Sequence, residues 1–187
     1  MKRIVLTFGL IAGVIMAAMM FISLPFSEKI GFDRALVLGY TTMLVALLLV
    51  YFGVRSYRDN VAGGVVRFGR AFVVGFSIAL VASAFYAAAW QVYYFNFVPD
   101  YLTKYQAHVM EQARADGESA EALAKRKAEM DRLAELYQNP VINFGMTIME
   151  PLPVALIVSL VSAGVVSRRR KDQPERAILR EPGDVTA

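Results

Sequence analysis

One carboxylate, Glu150, stands inside the run INFGMTIMEPLPVALIVSLVSAGVV, which is otherwise uncharged from Ile142 to Val166. An ionisable side chain is costly to place in a membrane span, so one that faces a bundle interior marks a candidate proton or ion site. The neighbouring residues offer a second, geometric reading. Pro151 and Pro153 follow the acid, and proline fits a first helical turn, where its missing N–H loses no hydrogen bond. An acid at that end also meets the positive pole of the helix dipole. Counted from Ser167 at about 1.5 Å per residue, Glu150 lies about 26 Å up a straight helix, near the outer edge of roughly 30 Å of hydrocarbon. The expectation is a helix start or a packed kink near the outer interface. The alternative is a helix that begins at Val141, kinks at the prolines and turns Glu150 inward as a proton or ion site.

Other reactive side chains are scarce. The chain has no cysteine, which excludes disulfides, thiolate catalysis, iron–sulfur clusters and cysteine zinc sites. His108 is the single histidine, too few for a bis-histidine haem or a histidine-rich metal site, and its polar surroundings predict a solvated side chain. No second acid, histidine or cysteine stands in an apolar run, so serine, aspartyl and metal mechanisms each lack a constellation. No catalytic residue, cofactor or metal ligand is assigned, and no enzymatic activity is expected. Gly63, Gly64 and Gly69 in GVRSYRDNVAGGVVRFGR are not followed by the lysine and hydroxyl residue of a phosphate-binding loop. That segment reads as a turn.

These residues must be positioned by membrane helices. Of the 187 residues, 57% are hydrophobic, the mean hydropathy is +0.45, and charge gathers between long apolar runs. That pattern predicts an all-α polytopic membrane protein. Four spans are expected, at about 4–24, 35–52, 71–94 and 142–166, in a membrane domain covering 1–171. The first run is longer than the apolar core of a signal peptide and lacks a small-residue cleavage site, so it is read as retained. Basic residues set the orientation. Lys2 and Arg3, then Arg55, Arg58, Arg67 and Arg70, then Arg168, Arg169, Arg170 and Lys171 all fall on one side, which predicts cytoplasmic N- and C-termini. Arg55, Arg58 and the SRRRK cluster are cytoplasmic anchors that touch anionic headgroups. The formal charge of +4 therefore points to the lipid bilayer and not to nucleic acid.

On the opposite side, WQVYYFNF closes the third span. Trp90, Tyr93 and Tyr94 read as an outer interfacial belt, with rings in apolar surroundings and polar atoms toward water; a ligand-binding aromatic cage is the sharper alternative. An extracytoplasmic helical segment is expected at about 97–139, between helices 3 and 4. Gly117 suits a C-cap and Ser119 an N-cap, which divides the segment into two helices, and Asn139-Pro140 ends the second. The pair has too few large apolar residues for its own core and must pack on the bundle or on a second copy. Gly9, Gly13 and Ala17 form a small-residue stripe, expected to bring helices together within one bundle. Residues 172–187 read as a disordered cytoplasmic tail.

The basic loop leading into VRFGRAFVVGFSIALVASAFYAAAWQVYYFNFVPDYLTKY, with the last-span entry MEPLPVALIVSLVSAGVVSRRRK, resembles the bacterial membrane family known as domain of unknown function 4199. The resemblance runs from about Lys2 to Lys171. It implies a four-helix integral protein of a bacterial cytoplasmic membrane with no assigned activity, and it supplies no catalytic or binding residues. It adds interest to the acid before the last span, although this chain has Pro153-Val154-Ala155 where glycine is expected in the family. The preferred function is a non-enzymatic scaffold or accessory subunit whose outer helices bind a membrane-protein partner or a second copy. A small transporter or channel component, with Glu150 as its proton or ion site, is the alternative.

Overall fold

A computed structural model describes residues 1–26, 29 and 31–168, and these fold as helices with no strand among them. Helix α1 (Lys2–Ser23) ends in a 3-10 turn at Leu24–Phe26. Helices α2 (Phe32–Leu47) and α3 (Leu49–Asn60) are separated only by a turn at Leu48, and α4 runs from Phe68 to Phe97. A cap of two helices follows, α5 (Tyr101–Ala115) and α6 (Ala120–Tyr137), then α7 (Pro140–Met149) and α8 (Leu152–Val166). Four helical stretches are long and apolar enough to cross a membrane: Lys2–Phe26, Asp33–Asn60, Phe68–Phe97 and Pro140–Val166.

Helix α4 is the central element and packs against α1, α3, α7 and α8. Its small residues make this possible: Ala71, Ala79, Ala82 and Ala87 are wholly buried. The expected stripe on α1 faces it. A Cβ at Gly9 would lie 2.7 Å from Val81 Cβ, and one at Gly13 would lie 2.8 Å from Phe85 Cβ, so the backbones meet at a distance that only glycine allows. Around this contact Val50, Val54, Val74 and Ile78 are fully enclosed. Leu6, Leu10, Val14, Val37, Val45, Ile157 and Val161 point outward and are exposed. In water such a surface would be an aggregation liability, whereas in hydrocarbon it is the expected covering of a helix bundle.

Two helices depart from the apolar runs that predicted them. The second run ends at Phe52, yet the helix continues to Asn60 because Val54 and Tyr57 stay buried against the bundle beyond it. Hydropathy reads lipid exposure, and burial carries the helix further. The fourth stretch starts at Pro140 and is broken at Glu150-Pro151. Neither Pro151 nor Pro153 has an N–H to continue the ladder, and the Glu150 N–H instead bonds Thr147 O at 3.3 Å.

The cap forms through local chemistry. Gly117 adopts φ +78°, which glycine reaches without a Cβ clash. The N–H groups of Gly117 and Glu118 then bond Arg114 O and Ala113 O, closing α5. Ser119 Oγ accepts from the Ala122 N–H at 3.2 Å. At the far end of α6, Asn139 Oδ1 accepts from the Val141 N–H at 2.9 Å with Pro140 in the first turn, so the residue that stops the cap starts α7.

Candidate functional site

Beneath the cap the helices leave a partly open cavity of about 170 Å3. Helix α1 supplies Met16, Met19 and Met20, and α2 supplies Tyr40 and Met43. Tyr86 and Trp90 come from α4, Tyr101 and Tyr137 from the cap, and Glu150 from the break between α7 and α8. Among the described residues Glu150 is the only charged side chain in this wall, and no cation pairs with it. The prolines place it there. They end α7 one residue short of Glu150 and begin α8 just after, so the acid occupies the corner and not a packed helical face. The kinked arrangement is therefore the one found, with Pro151 as the N-cap of α8 and Pro153 in its opening turn.

A polar network holds that corner against α4. Asn143 is fully buried; its Nδ2 donates to Tyr137 O at 3.2 Å, and its Oδ1 accepts from Gln91 Nε2, also at 3.2 Å. Gln91 Nε2 donates as well to Pro140 O at 2.7 Å. Thr147 Oγ1 donates to Asn143 O at 2.9 Å and lies 3.1 Å from the Tyr137 hydroxyl. Gln138 Nε2 donates to the Tyr94 hydroxyl at 3.3 Å. Each neutral bond contributes about 1 kcal/mol net, and a buried group deprived of its partner costs roughly 1–3 kcal/mol. The network therefore fixes the end of α6 and the start of α7 as one unit on α4.

The aromatic side chains form the roof. Trp90 meets Tyr101 edge to face, with centroids 5.4 Å apart and planes at 81°, and Tyr94 meets Tyr137 likewise at 5.4 Å and 82°. Trp90 Nε1 is buried without a hydrogen bond of good geometry, and the Tyr137 hydroxyl is the polar group beside it. Burial, then the neighbouring Tyr105 and Glu150, push the Tyr101 hydroxyl up to about 12. Burial also raises Tyr137. Both stay neutral at physiological pH and available as donors.

Several expected roles change. Trp90, Tyr93 and Tyr94 lie at the cap end as predicted, but they do not form an outward-facing belt. They are 7%, 5% and 0% exposed and pack with Met20 under Leu102, Tyr101 and Tyr137, because the cap covers the face that would otherwise meet headgroups. His108 is only partly solvated. Its Nε2 is buried and lies 3.7 Å from Asp33 Oδ2, to which Gln112 Nε2 also donates at 2.9 Å, so α5 is fastened to the start of α2. Arg58 bonds Asp59 at 2.7 Å and reaches Val166 O at 3.5 Å, where it caps α8. Arg55 lies 3.6 Å from Asp59. Arg168 is exposed; Arg169, Arg170, Lys171 and the expected tail at 172–187 lie outside the described residues.

Tyr40, Tyr86, Tyr101 and Tyr137 were not singled out from the sequence, nor were Asn143 and Thr147. One signal was there to read. Asn143, Thr147 and Glu150 recur at intervals of four and three, which is one helical face. The convergence of the tyrosines from four different helices has no counterpart in local spacing. Among the described residues, no group of three or more acidic or histidine side chains is placed to hold a metal ion.

A family model described as "Protein of unknown function (DUF4199)" matches residues 7–168. No curated protein and no solved structure matches the chain.

Proposed function

We propose, from the premise that this chain belongs to the DUF4199 family, that it is a non-enzymatic accessory subunit of a bacterial cytoplasmic membrane. Its termini lie in the cytoplasm, and its cap meets a membrane-protein partner outside. The orientation rests on the positive-inside rule applied to Lys2, Arg3, Arg55, Arg58, Arg67, Arg70 and Arg168. One observation carries the partner reading. Helix α6 is tied to the bundle through Tyr137 and to α5 through Gln106 and Asp131, yet none of its residues is buried. An outer helix so firmly seated and so openly presented has the form of a docking surface.

Lys125 and Arg132 lie on one exposed face of α6 at a spacing of seven. The test is capture of the tagged full chain from membranes extracted into polymer discs, compared with the double variant Lys125→Glu, Arg132→Glu. A protein recovered in stoichiometric amount with the first and lost with the second supports the reading. Recovery of the chain alone from both, with native lipid only, overturns it. The charge reversal leaves the Tyr137–Thr147 corner intact, so the cap stays in place.

A small transporter or channel component, with Glu150 as its proton or ion site, is the second reading, favoured by the place of that acid in the cavity. The packing of Val74, Ile78, Ala82 and Val158 across the inward path weighs against it. Proteoliposome flux that depends on Glu150 would decide for it.

A further inference from the structure

We infer that the cavity beneath the cap is a binding site for an alkylated organic ammonium ion, such as a trimethylammonium group. Among the described residues its wall holds one charge, the Glu150 carboxylate, together with five rings, four thioethers, and smaller apolar and hydroxyl residues. Trp90 and Tyr101 meet edge to face, 5.4 Å between centroids, and with Tyr40, Tyr86 and Tyr137 they place five rings from four helices around the cavity. Aromatic faces attract cations through the ring quadrupole, most strongly where water is excluded, and this is how methylated ammonium groups are recognised. A carboxylate at the corner supplies the opposite charge.

The same wall argues against other occupants. A hard metal ion such as calcium needs six or more oxygen ligands, and the cavity has one carboxylate with scattered hydroxyls. An anion would meet Glu150 with no cation to offset it. A neutral apolar molecule would cover the Glu150 carboxylate and give it no counter-charge. Size narrows the class further. The volume of about 170 Å3 is close to the roughly 150 Å3 that holds benzene and below the roughly 300–1,000 Å3 of drug-sized pockets. That suits an ammonium ion of about six to ten non-hydrogen atoms. The group could arrive as a free molecule or as the headgroup of a lipid, since the chemistry recognised is the same.

Trp90 is the one tryptophan of the chain and lines the cavity, so its emission reports occupancy. The experiment titrates the full chain, in discs of phosphatidylglycerol alone, with choline chloride against sodium chloride at equal ionic strength. Glu150→Gln and Tyr101→Ala are run beside it, each checked for native size and melting. A saturable response to choline that sodium does not reproduce is expected. It should weaken at least about tenfold in Glu150→Gln and about 3- to 30-fold in Tyr101→Ala. That result supports the site with a free ligand. No response to choline, but a shift of Trp90 emission in phosphatidylcholine discs that Glu150→Gln abolishes, supports the site with a lipid headgroup. No shift in either case, or a shift unchanged in both variants, overturns the inference.

Discussion

Replacing Asn143 by alanine tests whether the polar corner holds the cap. The side chain is fully buried and makes two bonds, donating to Tyr137 O and accepting from Gln91 Nε2, each at 3.2 Å. In the variant Gln91 keeps its 2.7 Å bond to Pro140 O, so its loss is small. Tyr137 O loses its side-chain donor at the end of α6, and leaving such a group unsatisfied costs about 1–3 kcal/mol. Taking about 2 kcal/mol, and tenfold per 1.4 kcal/mol, the cap should open about 30-fold more often. Amide exchange should therefore speed by about that factor in the last turns of α6 and the first turn of α7, where local opening governs exchange. The Gly9–Gly13 contact of α1 with α4 is remote from the corner, and its exchange should stay put. Unchanged rates at Leu136 to Asn143, or equal acceleration in α1 and α6, would refute the reasoning, the first by showing the bonds to be idle and the second by showing global loss of stability.

Gly13→Leu should destabilise the bundle by at least about 1–3 kcal/mol, read as a lower melting midpoint in detergent, because a Cβ there already lies 2.8 Å from Phe85 Cβ. Gly145→Ala is the matched control. Nothing lies within 4 Å of its Cβ, so the variant should melt unchanged or higher by helix propensity of up to about 1 kcal/mol. Gly117→Ala should cost about 1 kcal/mol in cap protection, since φ +78° disfavours a Cβ. Lys127 Nζ and Gln106 Nε2, each 2.7 Å from the Asp131 carboxylate, hold that acid below its usual 3.8. A lowered folded value means the ionised form contributes stability above the ordinary carboxylate range and loses it as pH falls through the lowered value. Protection of the α6 amides, relative to their slower intrinsic exchange in acid, should thus fall below about pH 4, and Asp131→Asn should flatten that dependence.

The helices were legible in the sequence because apolar runs of that length and the cap signals at Gly117, Ser119 and Asn139 act locally. The small-residue stripe was legible too, since Gly9 and Gly13 have a spacing that reads directly as a face. Burial of Trp90, Tyr93 and Tyr94 was not. An aromatic cluster at a span end has the same composition whether lipid or a cap covers it, and here Tyr101, Leu102 and Tyr137 cover it. His108 illustrates the same limit. Its neighbours in sequence are polar, and the partner that matters, Asp33, lies 75 positions earlier in the chain. The cavity was half legible. Glu150 stands out in any reading, but the rings that surround it arrive from α2, α4, α5 and α6 through tertiary packing alone.

The break before Pro151 also sets a length. Helix α8 has 15 residues, about 22 Å at 1.5 Å per residue, against roughly 30 Å of hydrocarbon. Used alone it is too short, and part of α7 must complete the crossing. In a thin bilayer the corner stands level with the headgroups and Glu150 is wetted. In a thick one the same corner is drawn toward the acyl chains, because mismatch is relieved by tilt or local thinning at a modest cost per ångström. The hydration of this one acid is thereby tied to the thickness of the membrane around it.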